Sequence, residues 1–386
     1  MRGSLLADVR SCLLAGAMLA ACGRPAPAVA GLNASERAAA QALLLPLDLP
    51  AAPRDILMDG RATAELGYAL FYDARLSRSG QTRCASCHDP SLAFGDGLPR
   101  SRGLAQLGRN APSLLNAGWS PSQFWDGRLA DLSRQALQPL EHPDEMGMTR
   151  LAWVHQVASL YAAPMAAIFG PLPPLNDLGR FPPAGGPGDP SYEGMAAPDR
   201  AALEALAGQI AAFLGGYVRA LTAGRGRLDD FLLGQASALS GDEQAGLGVF
   251  LRAGCSDCHG GSSLSDGAYH NLGLPGWPGA AADPGRAAIA PAEADALGAF
   301  RSPSLRNVGA TSPYGHNGSL PTLEAVVDLH LAGGGTPEIG QLDRRLRPQH
   351  LSAAERQVLL DFLRALNGRY RGEPSRPPDW WSWPDR

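Results

Sequence analysis

Two motifs of the same kind hold the residues of this sequence that are best suited to chemistry. Each has two cysteines separated by two residues and followed directly by a histidine, and they occupy residues 84–88 and 255–259. Two thiols at this spacing can both form thioether bonds with one porphyrin, and the histidine then lies under the ring and supplies an imidazole to the iron. The pattern predicts two covalently bound c-type haems, held by Cys84, Cys87, His88, Cys255, Cys258 and His259.

A zinc site made from both cysteine pairs is the alternative reading of these motifs. It requires the two pairs to meet at one metal ion, and it gives no role to two histidines at the same offset from their cysteines. Two haems therefore explain more of the pattern than one zinc ion does.

The N-terminal segment is typical of an export signal. Arg2 and Arg10 flank the start of a short apolar run, residues 12–21, that is too short to cross a bilayer. The run ends in Leu-Ala-Ala-Cys, which resembles the cleavage site of bacterial lipoproteins, so residues 1–22 are predicted to be a lipoprotein signal peptide with Cys22 as the lipidated residue. An ordinary cleaved signal peptide is the alternative. Either reading places the protein in the periplasm, and the first attaches it to the membrane through lipid alone.

Length, charge and composition narrow the class of protein. The chain has 386 residues, enough for two domains, and its net charge of −4 does not favour binding to nucleic acid. The 47 glycines and 33 prolines predict long connecting loops. Four of the six cysteines lie in the haem motifs, Cys22 carries the lipid and Cys12 is removed with the signal, so no pair is left for a disulfide.

The elements that position the two motifs are predicted to be helices. Apolar residues recur at helical spacing, and Ser240 and Glu243 form a capping-box pattern just before the second motif. Because no run of alternating strand residues is found, the expected fold class is mainly α, with two cytochrome c-like haem domains packed against each other and long loops. Helices are expected at residues 127–137, 150–160, 199–222, 241–253, 321–332 and 352–367. The Pro- and Gly-rich residues 171–199 are expected to form a surface excursion.

The domain order follows from these patterns and the motifs. The predicted parts are a tether and docking segment at 23–58, an N-terminal haem domain at 59–225, a C-terminal haem domain at 226–370 and a Trp-rich tail at 371–386.

Several stretches around the motifs resemble the bacterial di-haem cytochrome c peroxidases. They are LFYDARLS (70–77), AFGDG (93–97), RNAPSL (109–114), FWDGR (124–128), SPSLRN (302–307) and SPYGHNG (312–318). The match covers about residues 60–370. The family includes MauG, which uses peroxide to oxidise tryptophan side chains of a partner protein. The resemblance therefore implies an enzyme that uses hydrogen peroxide.

The resemblance implies roles for four residues of the N-terminal half. Trp125 matches a tryptophan between the two haems, where its ring shortens each electron step; a core aromatic is the alternative. Gln135 and Glu145 match a pair over the open face of the haem held by His88, and Pro139 matches a proline that crowds this face. A carboxylate there can carry a proton from one oxygen of peroxide to the other and so ease cleavage of the bond. A surface loop is the alternative for Glu145.

A calcium ion between the haems is also implied by the resemblance. Asn110, Thr311 and Pro313 match its ligands, and oxygen ligands suit calcium. The alternative is that these residues are structural and hold no ion. His316 matches a histidine near the second haem, where it is expected to form a hydrogen bond rather than bind iron.

The first departure from the family pattern concerns the haem held by His88. The classical peroxidases have a distal histidine in the loop before Asn110, but residues 99–109 contain none. We therefore expect this haem to keep an open position without reductive activation, as in MauG. Met146 and Met148 are the nearby alternatives as its sixth ligand.

The second departure concerns the haem held by His259. The family has Met or Tyr as the sixth ligand, nine residues into a later helix, and counting from Thr322 gives His330. His330 follows Val326 and Val327 by four and three residues, so its imidazole shares the apolar face of this helix. We expect His330 to ligate this haem; a hydrogen bond to a propionate or to the backbone is the alternative.

Together these features predict a di-haem oxidoreductase that reduces hydrogen peroxide. Peroxide is expected to bind at the haem held by His88, and the haem held by His259 is expected to store or relay the second oxidising equivalent through Trp125. The electrons are expected from a small cytochrome c or cupredoxin, or from side chains of a protein substrate. The alternative is a non-catalytic di-haem electron carrier, in which neither haem has an open position.

Overall fold

Helices dominate the computed structural model, which describes residues 32–46 and 61–368. In these two ranges, the α-helices are α1 Ala34–Ala42, α2 Arg61–Tyr72, α3 Cys84–Cys87, α4 Leu132–Glu141, α5 Arg150–Leu160, α6 Ala162–Phe169, α7 Pro190–Glu193, α8 Ala197–Ala220, α9 Arg227–Leu232, α10 Gly241–Arg252, α11 Leu323–Leu331 and α12 Ala353–Ala365. Strands β1 Tyr269–His270 and β2 Phe300–Arg301 form one antiparallel pair. The predicted mainly α fold class is confirmed. Three predicted features, the signal peptide with Cys22, most of the tether and the Trp-rich tail, lie outside the described residues.

A first hydrophobic core draws on residues 66–221. Helix α8 is its centre and packs against α2, α4 and α5, with Leu203, Ile210 and Phe213 fully buried. Helix α8 is long and apolar enough to span a membrane, but its burial identifies it as a core helix. Gly67 allows α2 to touch α8, because a Cβ atom there would lie 2.2 Å from the carbonyl oxygen of Phe213.

A second hydrophobic core draws on residues 228–366 and on the N-terminal segment. Helices α10 and α12 cross at Gly246, where a Cβ atom would lie 2.0 Å from the carbonyl oxygen of Val358. Leu32, Ala40 and Leu43 of the N-terminal segment are buried in the same core. The chain therefore contributes to the second core before it builds the first one.

A buried ion pair fastens the N-terminal segment to this core. The guanidinium of Arg306 bonds to both carboxylate oxygens of Asp229, at 2.9 and 3.1 Å, and to the carbonyl oxygen of Leu43 at 2.7 Å. The amide of Leu45 donates to Asp229 at 2.8 Å. One ion pair thus joins α9, the segment after α1 and the loop before α11.

Most of the predicted helices are confirmed within a few residues, but α4 begins later than predicted. Its start was expected at 127, whereas Leu132 is its first residue. The amide of Gln123 donates to the carbonyl of Leu129 at 2.6 Å, so this stretch closes on itself. Asp131 then caps the helix by accepting from the amide of Arg134.

The prediction of a surface excursion at residues 171–199 is wrong for part of this stretch. Phe181 and Tyr192 belong to the first core and are 1% and 5% exposed. His155 of α5 holds the segment in place through a bond from its Nε2 to the carbonyl of Pro182, at 3.0 Å. Pro and Gly thus shape a path that returns to the core instead of leaving it.

Candidate functional site

The first cysteine motif forms a short helix that ends in a histidine with one nitrogen fixed. Cys84 and Cys87 are the first and last residues of α3. Nδ1 of His88 lies 3.0 Å from the carbonyl oxygen of Phe94. Because a carbonyl only accepts, Nδ1 carries the hydrogen and Nε2 keeps its lone pair for a metal. Burial lowers the pKa of His88, which favours this neutral form.

The second motif repeats this arrangement on the other core. A single turn at Cys255–Asp257 follows α10, and Nδ1 of His259 lies 3.2 Å from the carbonyl oxygen of Leu264. Burial first, and then the nearby His330, lower the pKa of His259 to about 4. None of the four motif cysteines forms a disulfide in the described part of the chain. Because Cys84 packs on the first core and Cys255 on the second, the two pairs do not form one zinc site.

A cavity of about 360 Å³ lies between the second motif and the loops of the N-terminal half. Nine of the residues predicted for the site line it: Asn110, Trp125, Cys255, Cys258, His259, Thr311, Pro313, His316 and His330. Gln135, Pro139 and Glu145 do not line this cavity. The structure therefore divides the predicted residues into two groups, one for each motif.

His330 presents a free nitrogen to the same cavity as His259. Its Nδ1 lies 2.8 Å from the carbonyl oxygen of Val326, one turn earlier in α11, so Nε2 again keeps the lone pair. Burial lowers the pKa of His330, and its charge would in turn lower that of His259. Two neutral imidazoles near one another are a suitable pair of axial ligands for a haem iron.

Two polar groups in the cavity fit the carboxylates of a haem. Arg301 is half-buried, and this burial lowers its pKa. Its guanidinium bonds only carbonyl oxygens among the described residues, those of Phe124 and Ser302. Nδ1 of His316 is buried with no hydrogen-bond partner in the described chain. The His316 ring stacks on Phe300 with the ring centres 3.5 Å apart, which leaves this nitrogen available to a bound group. A cation and a ring nitrogen without anionic partners suit the propionates of a bound haem.

Glu145, from the second group of predicted residues, lies by the first motif. The carboxylate of Glu145 is close enough to Cys84 and Cys87 for its charge to raise the pKa of both thiols. Burial raises the pKa of Glu145 itself, and His142, 3.9 Å away, acts in the opposite direction. Glu145 therefore lies near the cysteines of the first motif.

Helix α4 carries the two other residues of this group. Gln135 and Pro139 are four residues apart, so they share one face of the helix. Met146, one of the alternative ligands, is 2% exposed and packed in the first core. Met148 packs against the same core.

Trp125 joins the two halves of the molecule. Its Nε1 donates to the carbonyl of Asn110 at 2.9 Å, and its own carbonyl accepts from the amide of Arg301 at 2.8 Å. The amide of Asn110 donates to the carbonyl of His316 at 2.8 Å. The bond from the indole and the two backbone bonds fix Trp125 between the loops that surround each motif.

Arg109 was not singled out from the sequence, although it lies at the centre of this junction. It bonds to Asp126 at 2.6 Å and to Asp283 of the other half at 2.7 Å, and it lies over the ring of Phe300. The family-like stretches contain Arg109 and Asp126, but Asp283 comes from a loop with little pattern. The sequence therefore indicated Arg109 and Asp126, but it gave no sign of Asp283.

His270 takes part in a cluster beside the second motif. Its Nδ1 lies 2.7 Å from a carboxylate oxygen of Asp343, and its Nε2 lies 2.9 Å from one of Asp266. The sulfur of Cys258, a carboxylate oxygen of Asp266 and a ring nitrogen of His270 all lie within 4.8 Å of one another. Since this sulfur is needed for the haem thioether, the cluster serves to hold the loop around residue 343 against the motif.

Comparisons with known proteins agree with this division into two haem sites. The family model described as di-haem cytochrome c peroxidase matches residues 61–237. The chain is 34% identical to the methylamine utilization protein MauG of Methylorubrum extorquens, over 78% of this chain and 77% of that protein. It is 33% identical to the cytochrome c551 peroxidase of Pseudomonas aeruginosa, over 79% of this chain and 78% of that protein.

A solved structure extends this likeness to three dimensions. The crystal structure of a MauG-like protein associated with microbial copper homeostasis superposes with a TM-score of 0.67 at 30% identity, and the match covers 88% of this chain and 99% of that one. The family resemblance and the enzyme class predicted from the sequence are confirmed. The chain belongs to the di-haem cytochrome c peroxidase family, and it is a di-haem c-type oxidoreductase.

Proposed function

We propose that the chain reduces hydrogen peroxide at the haem held by His88 and takes one of the electrons from the haem held by His259. The observation that carries this proposal is an asymmetry between two otherwise similar sites. His259 shares its cavity with His330, whereas His88 has Glu145 nearby. Two imidazoles would close the iron of the second haem to substrate and suit it to electron transfer. One imidazole and a carboxylate leave room for peroxide at the first.

Glu145 is proposed to handle the proton in this reaction. A haem iron with an open position supplies electrons to the bond between the peroxide oxygens. The Glu145 carboxylate would take the proton from the inner oxygen and return it to the outer one, which then leaves as water. Gln135 would hold the peroxide by a hydrogen bond, and Pro139 would limit the space on that face.

Trp125 is proposed to connect the two sites. Its indole lines the cavity of the second motif, and its hydrogen bond to Asn110 ties it to the loop that follows the first motif. An aromatic ring between two redox centres divides one long electron step into two short ones. The acceptor of the indole hydrogen is a backbone carbonyl, which is a weak base, so Trp125 would pass electrons without losing its proton.

The electron source is proposed to be a side chain of a partner protein rather than a small cytochrome c or cupredoxin. Residues 99–109 lack the histidine that would block the first haem until a donor reduces the enzyme. An enzyme that is open from the start needs no activating donor. Electron supply by a small redox protein is the second candidate, and the relatives bear names of both kinds.

The cellular location and a calcium site are proposed from motifs in the sequence. We infer that the protein is exported to the periplasm and anchored by lipid at Cys22. Asn110, Thr311 and Pro313 are proposed to hold a calcium ion. That all three line one cavity with Trp125 supports this ligand set.

The test of this proposal is spectroscopic. The ferric holoprotein should show one high-spin and one low-spin haem, because the first has a single protein ligand and the second has two. In low-temperature electron paramagnetic resonance, His330→Ala should convert the low-spin signal of the second haem to a high-spin one. His350→Ala, at an exposed histidine, should leave the low-spin signal unchanged. Replacing a thioether ligand by imidazole should also give this haem a lower potential than in Met-ligated relatives. A resting protein with two low-spin haems would instead support the electron carrier.

A further inference from the structure

A buried tyrosine–carboxylate pair lies in the first core, outside the residues used above. The hydroxyl of Tyr161 donates to Oδ2 of Asp73 at 2.6 Å, and the two residues are 2% and 0% exposed. Arg75 holds the same carboxylate through two nitrogens. The phenol is therefore fixed against a group that can accept its proton.

An aromatic cluster connects this pair to the first haem motif. Tyr72 precedes Asp73 in the chain, and its ring lies 4.7 Å from Tyr68 and 5.2 Å from Phe71. Phe71 in turn lies 6.4 Å from Phe94. The carbonyl of Phe94 is the group that accepts the Nδ1 hydrogen of the ligand His88. Closely spaced rings thus lead from the residue that holds His88 to Tyr72, the chain neighbour of Asp73.

The chemistry of Tyr161 differs from that of Trp125. Burial first, and then the bond to Asp73, raise the pKa of Tyr161, so its phenol is protonated at rest. A phenol that loses an electron becomes a strong acid and must pass its proton to a base. Asp73 lies within hydrogen-bond distance for this transfer, whereas Trp125 donates to a carbonyl.

We propose that Tyr161 is a redox-active residue that gives one electron to the peroxide reaction when no external donor is present, while its proton moves to Asp73. This inference rests on the proposed peroxide reaction. Reduction of one hydrogen peroxide to two waters takes two electrons and two protons. One electron comes from Tyr161 and the other from the second haem through Trp125, and both protons come from solvent. The products on the protein are a neutral tyrosyl radical, a protonated Asp73 and a second haem that has lost one electron. Two electrons from an external reductant restore both centres, and the proton on Asp73 returns to the phenol.

The experiment traps the radical in the holoprotein. Ferric enzyme is mixed with hydrogen peroxide without donor, frozen and examined by electron paramagnetic resonance, while peroxide consumption is followed in the same sample. We expect a narrow radical signal whose hyperfine splitting collapses when the protein is made with ring-deuterated tyrosine. The signal should be lost in Tyr161→Phe. It should persist in Tyr192→Phe, a matched control whose hydroxyl also donates to a carboxylate, that of Glu204, at 2.6 Å.

Three results would overturn the inference. Peroxide consumption without a tyrosyl signal, or a signal unchanged in Tyr161→Phe, removes the role of Tyr161 and leaves the proposed function intact. No consumption of peroxide by the wild-type holoprotein removes both. If Tyr161→Phe does not bind both haems, 3-fluorotyrosine is placed at residue 161 instead. A radical without fluorine splitting then lies elsewhere.

Discussion

Glu145 shows how the surroundings of one side chain set its chemistry. Its half-buried carboxyl lies near the first motif, and partial burial raises its pKa. We expect Glu145→Gln to retain both haems and to lose a factor of roughly 10²–10⁴ in the rate of reaction with peroxide, the range for removal of a general acid–base. Stopped-flow absorbance measures this rate. The matched control is Asp144→Asn, the exposed neighbour, which should react at the wild-type rate.

The pH dependence of the same reaction tests whether the pKa of Glu145 is raised. The carboxylate must be charged to take a proton from peroxide, so the rate falls when the pH drops through the pKa of Glu145. Because burial raises this pKa, the fall should be centred above about 4.3, the usual value for an exposed glutamate. Glu145→Gln should lack this acid limb. An identical limb in that variant would assign the titration to another group.

Residues that act through covalent chemistry were predictable, and residues that act through distant partners were not. The thiols of Cys84 and Cys255 and their histidines are defined by spacing within five residues. His330 makes its tautomer-fixing bond inside its own helix, again a local contact. Arg109 and Arg301 take their meaning from groups in the opposite half, and no local pattern contains that information.

At the scale of elements, capping explains where the predictions succeeded. Ser240 and Glu243 form the predicted capping box, and α10 begins at Gly241, as expected. The start of α4 was missed because Asp131, a single cap without a partner glutamate, decides it. The burial of Phe181 was missed because composition alone predicts loops without showing where a loop returns to a core.

The N-terminal segment with α1 depends on the ion pair between Arg306 and Asp229. Removing Arg306 leaves the Asp229 carboxylate buried without its partner, which costs about 3–5 kcal/mol. We expect Arg306→Ala to lower the denaturant midpoint of the C-terminal domain and to expose α1 to protease. Arg356→Ala, at an exposed pair with Asp328, should cost about 0–1 kcal/mol. Equal midpoints for the two variants would contradict this assignment.

At the scale of the whole molecule, Arg109 holds the two halves in register around Trp125. It contacts Asp126, the neighbour of Trp125, and Asp283 from the other half. We expect Arg109→Gln to keep the ligation of each haem and to slow electron transfer between them, because Trp125 loses its fixed place. Flash reduction of one haem, followed optically at the other, measures this transfer. A rate equal to that of Arg356→Gln would show that Arg109 is dispensable for it.

The contact of α1 with the C-terminal core affects the order of events while the protein is made. Two residues just after α1 make the long-range contacts. The amide of Leu45 donates to Asp229, 184 residues later, and the carbonyl of Leu43 accepts from Arg306, 263 residues later. Synthesis begins at the N-terminus, so α1 emerges first and meets its partners late. Closing such long loops is slow, and chains stopped before residue 306 should remain sensitive to protease at α1. We expect the nascent chain to stay open until its second half is complete, which leaves both motifs accessible for haem attachment before the molecule closes.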